Sequence, residues 1–275
     1  MILVTGATGN VGSELSSQLA ARGCAVRALV RDQNAAFPGG VDIVVGDLNR
    51  IESWSSALEG VRGVFLLSGY NDMPGMLAAM RQAGVEQVVL LSSQSAADSD
   101  TTNAVARYHI LSEAAVRESG LAWTFLRPSS FMSNALRWIP QLRRGDIVRE
   151  AFGDVRVAEV DPHDIAAVAM EALCSTRHVG RSYRLTGPQA LSADDRVRIL
   201  GGVLERDLRF ESMSDTEARV DMSSSMPAEY VEAFFDLFRG GRYDESTVYP
   251  TVQEITAQPP RTFKHWVTMH ASAFR

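Results

Sequence analysis

The sequence predicts an α/β protein built on a doubly wound parallel sheet, followed by a smaller C-terminal region. Two observations predict this fold class. Short, nearly continuous apolar runs alternate with amphipathic segments of helical period, as in parallel sheets that helices cover on both faces. A glycine-rich turn, Gly6-Ala-Thr-Gly9-Asn-Val-Gly12, follows the first apolar run and opens the first amphipathic segment. The length of 275 residues suits one large domain, or a first domain with a smaller cap.

The first half of the chain contains six predicted strands separated by helices. The strands are predicted at 2–5, 25–30, 41–45, 64–67, 88–91 and 123–126. The first helix carries an apolar stripe at Val11, Leu15 and Leu19, and Gly23 ends it. Further helices are predicted at 51–58, where Asn49 is a candidate cap, at 76–83 and at 104–119.

The pattern changes after Pro128. A helix is predicted near 130–142, a strand at 155–160, a helix after Asp164 and a strand at 181–185. We therefore divide the chain into a first domain, residues 1–153, and a smaller, partly interleaved region, residues 154–275.

Composition narrows the classes of function. The net charge of −6 argues against a nucleic-acid or anionic membrane surface, because both need concentrated positive charge. No apolar run reaches the roughly 20 residues of a membrane-spanning helix, and Met1 leads directly into a strand, so we expect a cytoplasmic protein. The two cysteines, Cys24 and Cys174, form no metal cluster and are expected to be small buried hydrophobes, so no metal site is predicted.

The glycine-rich turn predicts a dinucleotide site. Glycines there allow a tight turn and a close backbone approach, while the free N–H groups of the following helix hold a pyrophosphate. The alternative is an ordinary structural turn. The residues expected to contact the cofactor here are Gly6, Thr8, Gly9, Asn10, Val11 and Gly12.

The ends of the next strands set the cofactor preference. Arg31 suits the 2′-phosphate of NADP, whereas Asp32 can accept from the ribose 2′-hydroxyl of NAD, so NADP is favoured and NAD stays open. Asp47 is expected beside the adenine, unless it only begins the next turn. Residues at other strand ends are expected to border the cofactor as well: Leu48, Leu67, Ser68, Ser92 and Pro128.

Several segments together resemble the NmrA-like atypical short-chain dehydrogenases/reductases. They are the glycine-rich turn, the Arg-Ala-Leu-Val-Arg31 strand, Gly46-Asp47-Leu48, and the segment from Ser119-Gly120 to Arg127-Pro128. Later segments around Val160 to Asp164, Leu185 to Pro188 and Pro260 to Trp266 extend the resemblance over nearly the whole chain. The resemblance implies a Rossmann core, a small C-terminal substrate-binding region and NAD(P) as ligand.

The catalytic Tyr-x-x-x-Lys pair that is usual in this superfamily is missing. Tyr108 has the tyrosine spacing, but Ser112 stands where the lysine belongs, and Lys264 is the only lysine in the chain. In place of that pair, the chain has His109 and Glu113 four residues apart on one helix face. This His-x-x-x-Glu pattern is similar to the pattern in the quinone-reductase-like members of the family. His109 is the candidate donor, to a ribose hydroxyl or a substrate carbonyl, and Glu113 orients it or holds the backbone. Tyr108 is expected to point away and to pack. A helix-surface pair without chemistry is the alternative.

The predicted function is an NAD(P)H-dependent reduction of a quinone or a polycyclic aromatic, polyketide-like carbonyl compound by hydride transfer. Reduction of such acceptors needs no strong general acid. The hydroquinone formed from a quinone could react with oxygen, and the protein would then support a hydroxylation. The alternative is an NAD(P)-sensing protein that binds a partner protein, and it would lack an open apolar pocket. A homodimer is left open, as is a site role for His163. Residues expected to contact the substrate are Ser93, Ser129, Phe131, Met132, Asn134 and Trp138.

Overall fold

The main sheet has seven strands, all parallel: β1 (Ile2–Val4), β2 (Val26–Val30), β3 (Val41–Val45), β4 (Gly63–Leu67), β5 (Gln87–Leu91), β6 (Ala122–Pro128) and β8 (Arg181–Leu185). Their order across the sheet is β3-β2-β1-β4-β5-β6-β8. The computed structural model describes residues 1–241 and 244–275. The strand order reverses between β1 and β4, and in open α/β sheets a crevice for ligands lies at that point, at the carboxyl ends of the strands.

Helices cover both faces of this sheet, which confirms the predicted Rossmann-type fold class. The first face buries α1 (Asn10–Ala21) and α5 (Pro162–Cys174), and it takes in Val252 of α9 (Thr251–Thr256). The second face buries α2 (Met73–Gln82), α3 (Ala104–Glu118) and two short 3-10 helices, Ile51–Ser53 and Ser55–Leu58. Both α5 and β8 come from beyond residue 153, so the chain returns to the first domain after it has begun the second region.

A second region rests on the carboxyl side of the sheet. Its core joins α4 (Ile139–Leu142), α6 (Ala193–Leu204) and α10 (Phe263–His270), with Trp138 and Trp266 almost fully buried among them. A two-stranded parallel sheet borders this core and consists of β7 (Ile147–Glu150) and β9 (Arg209–Ser212). A small separate core joins α7 (Asp215–Ser223) and α8 (Ala228–Arg239), and α8 contacts α3.

Four local predictions were wrong. Residues 51–58 form 3-10 turns whose N-cap, Arg50, makes no side-chain cap, so Asn49 is not a helix cap. The helix near 130–142 is a 3-10 helix, Met132–Trp138, followed by only one α-turn, and 155–160 makes isolated bridges through Val157 and Val160 instead of a strand. Cys174 is exposed and Cys24 is half-buried, with their sulfur atoms 3.8 Å apart.

The start of α5 also differs from the prediction. Asp161, not Asp164, caps this helix by accepting from the backbone N–H of His163. Asp164 accepts from the backbone N–H of Arg261 at 2.7 Å, and burial raises its pKa to about 6. In the described residues, no helix is both long and apolar enough to span a membrane.

Candidate active site

The glycine-rich turn leaves space beside its backbone that side chains at the glycine positions would fill. Gly6 has a φ of +58°, in the left-handed region that favours glycine. A Cβ on Gly12 would lie 2.2 Å from the carbonyl oxygen of Gly6, so the first turn of α1 sits directly on the preceding loop. Gly9 is the N-cap of α1 and offers no side-chain acceptor. The first N–H groups of the helix therefore have no side-chain cap, and the turn fits a pyrophosphate.

The end of β2 presents a free cation. Arg31 is exposed, and among residues 1–241 and 244–275 it makes no hydrogen bond or ion pair. Asp32 uses one carboxylate oxygen to accept from both the backbone and the side chain of Asn34. Arg31 is thus available to an anionic ligand, while Asp32 is partly engaged in its own turn.

Asp47 and Arg31, which are expected at the adenosine end of the cofactor, both lie near Tyr70. One oxygen of Asp47 accepts from the backbone N–H of Asn49 at 3.0 Å, which is the turn-forming role considered for it. Burial raises the pKa of Tyr70 to about 12, and the charges of Arg31 and Asp47 act on the same phenol. Leu48, by contrast, is buried in the core on the second face of the sheet.

A cavity of about 370 Å³, which we call the inner chamber, opens at the carboxyl ends of β4, β5 and β6. It lies where the sheet geometry places the crevice, and most of its wall is apolar. The sequence-predicted residues that it brings together are Leu67, Ser68, Ser92, Ser93, His109, Pro128, Ser129, Phe131 and Asn134.

His109 lies in the wall of the inner chamber and is uncharged at neutral pH. Burial lowers the pKa of His109 to about 4, against a smaller opposite effect of the Glu113 charge. Its Nδ1 atom is buried and has no hydrogen-bond partner in the part of the chain that the structure describes. The imidazole is therefore a neutral group in an apolar cavity, and among the described residues no side chain fixes its orientation by hydrogen bonding.

Glu113 does not orient His109, contrary to one of the two roles expected for it. Its carboxylate accepts two hydrogen bonds from Arg127, at 2.8 and 2.6 Å, and one from Arg117 at 2.9 Å. It also accepts from the hydroxyl of Ser92 at 2.7 Å. Glu113 thereby ties α3 to the ends of β5 and β6, and it sets the position of the helix that carries His109.

Tyr108 faces the inner chamber, contrary to the expectation that it points away. Its ring centroid lies 4.0 Å from that of His109. The ring also packs on Gly69, where a Cβ would approach to 3.1 Å at a φ of +92°. Burial raises the pKa of the Tyr108 phenol, so its proton stays in place at neutral pH.

Two of the residues expected to contact the substrate lie elsewhere. Met132 is 2 % exposed in the core of the C-terminal region. Trp138 is buried beside a second cavity, and its Nε1 donates to Glu150 at 3.2 Å. The short 3-10 helix turns these side chains away from the inner chamber, whereas an α-helix with the predicted span would have placed all of its apolar stripe together.

The C-terminal region supplies several chamber residues that the sequence did not indicate. Glu245 hydrogen-bonds the hydroxyl of Ser130 at 3.1 Å, and burial raises the pKa of the Glu245 carboxyl. Phe234, Leu237 and Phe238 of α8 close the apolar side of the chamber. Nothing in the sequence placed this helix over the sheet.

His163 has no contact with the inner chamber. Its Nδ1 lies 2.9 Å from the carboxylate of Glu14 and 3.1 Å from the side-chain nitrogen of Gln18, on the side of α1. Within residues 1–241 and 244–275, no cluster of three or more metal-ligating side chains occurs.

Comparison with known proteins places this site in a family. Residues 6–176 match a family described as NAD(P)H-binding. A (4-alkanoyl-5-oxo-2,5-dihydrofuran-3-yl)methyl phosphate reductase of Streptomyces griseus is 41% identical over 280 residues, which cover 100% of this chain and 99% of the relative. An NAD(P)H azoreductase of Xenophilus azovorans is 34% identical over 284 residues, with 100% and 99% covered. The fold is shared with an NADPH-dependent quinone oxidoreductase of Escherichia coli, at a TM-score of 0.78, 24% identity and coverage of 98% and 100%.

Proposed function

The chain belongs to the NAD(P)H-binding family and is an NAD(P)H-dependent oxidoreductase, and we propose that it uses NADPH to reduce electron-poor conjugated acceptors. This class includes the quinones and polycyclic aromatic carbonyl compounds expected from the sequence. It also includes alkenes conjugated to two carbonyl groups. In the carbonyl-containing acceptors the negative charge left by a hydride spreads over carbonyl oxygens.

The observation that carries the proposal is the inner chamber itself. It combines an apolar wall with neutral His109 and Tyr108, beside the place where the sheet geometry puts a cofactor. A sensor protein needs no such open space, whereas a reductase needs room for a flat acceptor. The absence of a Tyr-Lys pair fits acceptors whose reduction needs little acid assistance.

The residues present fit the cofactor. The first turn of α1, with Gly9, Asn10 and Gly12, would hold the pyrophosphate, and Arg31 would pair with the 2′-phosphate. When bound, the reduced nicotinamide supplies the hydride. Phe131 and the phenylalanines of α8 would exclude water from the acceptor face.

His109 is the proposed donor to the acceptor. A buried Nδ1 without a hydrogen-bond partner costs less free energy as an unprotonated acceptor than as an N–H donor. We therefore place the imidazole proton on Nε2. From there His109 donates a hydrogen bond to the carbonyl oxygen that gains charge. Because the pKa of His109 is about 4, this donor is uncharged across the physiological range and its hydrogen-bonding state does not change there.

The relatives support this acceptor class. The compound in the name of the Streptomyces griseus protein has a ring alkene conjugated with both a lactone carbonyl and an alkanoyl group. The azo group in the activity of the Xenophilus azovorans protein is also an electron-poor acceptor. Both fit a site that offers hydrogen bonds without a strong acid.

The test is NADPH oxidation by a matched set of acceptors: a naphthoquinone, an acylbutenolide and cyclohexanone. We expect turnover of the first two and none of the isolated ketone. With NADPH deuterated at the transferring carbon, the acylbutenolide product should carry deuterium. His109→Ala should lower kcat roughly tenfold to a hundredfold without changing the Kd of NADPH.

His265→Ala is the matched control, because His265 is exposed and lies outside the chamber. Cyclohexanone turnover equal to that of the quinone would overturn the acceptor class. Unchanged kcat in His109→Ala would remove His109 from the chemistry while leaving the reductase in place.

A further inference from the structure

A second and larger cavity adjoins the inner chamber, and we call it the outer chamber. Its volume is about 730 Å³, and it lies in the C-terminal region between the turn after β7 and the helices α7 and α8. The two chambers share the wall residues Ser130, Asn134, Phe234 and Phe238. A ligand whose reactive part occupies the inner chamber can therefore extend into the outer one.

One wall of the outer chamber is apolar and adaptable. Met213, Met222 and Met226 line it together with Phe152. These side chains are only partly buried, and they rest on the small core that includes Phe235. Methionine is flexible and polarizable, so such a wall adjusts to an apolar chain of variable shape.

Charged groups also line the outer chamber. Four arginines line the chamber together with Glu150, Glu159 and Asp221. Two of these arginines are paired with chamber acids: Arg137 with Glu150, and buried Arg196 with Glu159 and, at 3.7 Å, with Glu150.

The other two arginines, Arg149 and Arg144, differ in whether acids neutralise them. Arg149 pairs with Glu217 at 2.8 Å and with Glu211 at 3.6 Å, and neither of these acids lines the chamber. The side chain of Arg144 makes no hydrogen bond or ion pair in the described part of the chain. The charge of Arg149 is therefore matched by acids outside the chamber, whereas the guanidinium group of Arg144 is available to an anion.

We propose that the outer chamber binds an amphipathic, anionic arm of the substrate, with its apolar chain on the methionine wall and its anionic group at Arg144. This inference rests on the proposed function for the reactive part of the substrate in the inner chamber. The substrates of the enzyme would then be elongated molecules with an electron-poor head, an apolar chain of several carbons and a phosphate-like group.

The test is calorimetric binding of n-alkyl phosphates, from methyl to octyl, to the full chain saturated with NADP⁺. Saturation keeps the phosphates out of the cofactor site. We expect affinity to rise roughly two- to fourfold with each added methylene. The matched n-alkyl alcohols should bind at least tenfold more weakly than the phosphates, because they lack the charge that Arg144 attracts.

Two substitutions test the contribution of the ligand's alkyl chain and that of its anionic group separately. Met222→Glu should flatten the dependence on chain length, and Arg144→Glu should remove the advantage of phosphate over alcohol. Arg143→Glu is the control for Arg144→Glu, since it makes the same charge change one residue away and does not line the chamber. Met269→Glu is the control for Met222→Glu, at a side chain that is 66% exposed.

Affinity that is independent of chain length, or equal losses in Arg143→Glu and Arg144→Glu, would overturn the proposal. The outcome is independent of the proposed function, because binding is measured without turnover. Conversely, the small naphthoquinone has no arm, so its reduction tests the inner chamber alone.

Discussion

Two neighbouring residues on α3 differ in their contacts because their surroundings differ. His109 and Glu113 are one helical turn apart, yet Glu113 is held by two arginines and a serine while His109 Nδ1 has no partner among the described residues. Spacing on a helix places two side chains on one face, but it does not show which strands meet that face. The sequence could therefore indicate the pair without showing that only His109 faces the chamber.

We propose that the cofactor preference also depends on one residue, Arg31. We expect Arg31→Ala to raise the Kd of NADPH roughly tenfold to a hundredfold and to leave the Kd of NADH nearly unchanged. The reason is that Arg31 is free for the 2′-phosphate, which NADH lacks. Fluorescence titration of both cofactors measures the two constants.

Arg62→Ala is the control for Arg31→Ala, because Arg62 is an exposed arginine that pairs with Glu86 at the opposite ends of the strands. Equal weakening of NADPH and NADH in Arg31→Ala would contradict the assignment and would make Arg31 a general contact of the adenosine.

At the scale of elements, the close contact between α1 and its preceding loop can be tested by adding one carbon atom. In Gly12→Ala the new Cβ would meet the backbone of Gly6 at 2.2 Å, so the helix must move away from the turn. We expect the Kd of NADPH to rise by at least tenfold and the protein to lose stability, measured by titration and by urea unfolding.

Gly202→Ala makes the same change inside α6, where nothing lies within 4 Å of the added atom. This control should keep the cofactor affinity and gain about 0.5–1 kcal/mol, because alanine is the better helix former. NADPH affinity in Gly12→Ala equal to that of the control would show that the turn does not hold the pyrophosphate.

The junction between α3 and α8 depends on Asn103. Its side-chain oxygen caps α3 by accepting from the backbone N–H groups of Val105 and Ala106, and its nitrogen donates to the carbonyl of Ala233 and to Asp236. Asn103→Ala should lose both functions, at a cost of about 1–2 kcal/mol. Asn103→Asp keeps the cap but places a carboxylate beside Asp236.

Comparison of the two Asn103 variants separates the cap from the link. We expect Asn103→Asp to retain the helix content by circular dichroism while its reduction of a naphthoquinone shows a raised KM, since α8 closes the chamber. If both variants keep the wild-type KM, α8 is held over the chamber by other contacts.

The elements that the sequence predicted well are those whose side chains face one environment along their whole length. The core strands and α1 are buried on a simple period, so apolar runs and glycines were sufficient to locate them. The predictions for residues 130–142 and 155–160 were wrong because the conformation of these segments depends on contacts with distant parts of the chain. The isolated bridges Phe131–Val160 and Val157–Leu191 are examples of such contacts.

The residues of the candidate site were likewise predictable from the sequence only where the regular part of the fold determines their position. Residues at strand ends, such as Ser92 and Pro128, could be placed because topology brings the carboxyl ends of parallel strands together. Glu245 and the phenylalanines of α8 could not, because their position follows from tertiary packing of a region that has no regular pattern.

For the whole molecule, burial of ionisable groups around the chambers makes stability depend on pH in opposite directions. His109 has its pKa lowered to about 4 in the folded protein, so the unfolded chain binds a proton that the folded chain does not as the pH falls from about 6.5 to 4. His109 thus contributes stability above pH 6.5 that is lost in this interval. Burial raises the pKa of Glu159 to about 7, and this carboxyl adds stability as the pH falls from about 7 to 4.5.

Because the two effects oppose each other in the wild-type profile, a difference between variants is needed to isolate His109. We expect the unfolding free energy of the wild type, relative to His109→Gln, to fall by on the order of 3 kcal/mol between pH 7 and pH 4. Urea unfolding followed by circular dichroism at several pH values measures both proteins. A difference that stays constant with pH would mean that His109 titrates normally in the folded state, and a freely hydrated imidazole would then contradict its place in the wall of an apolar chamber.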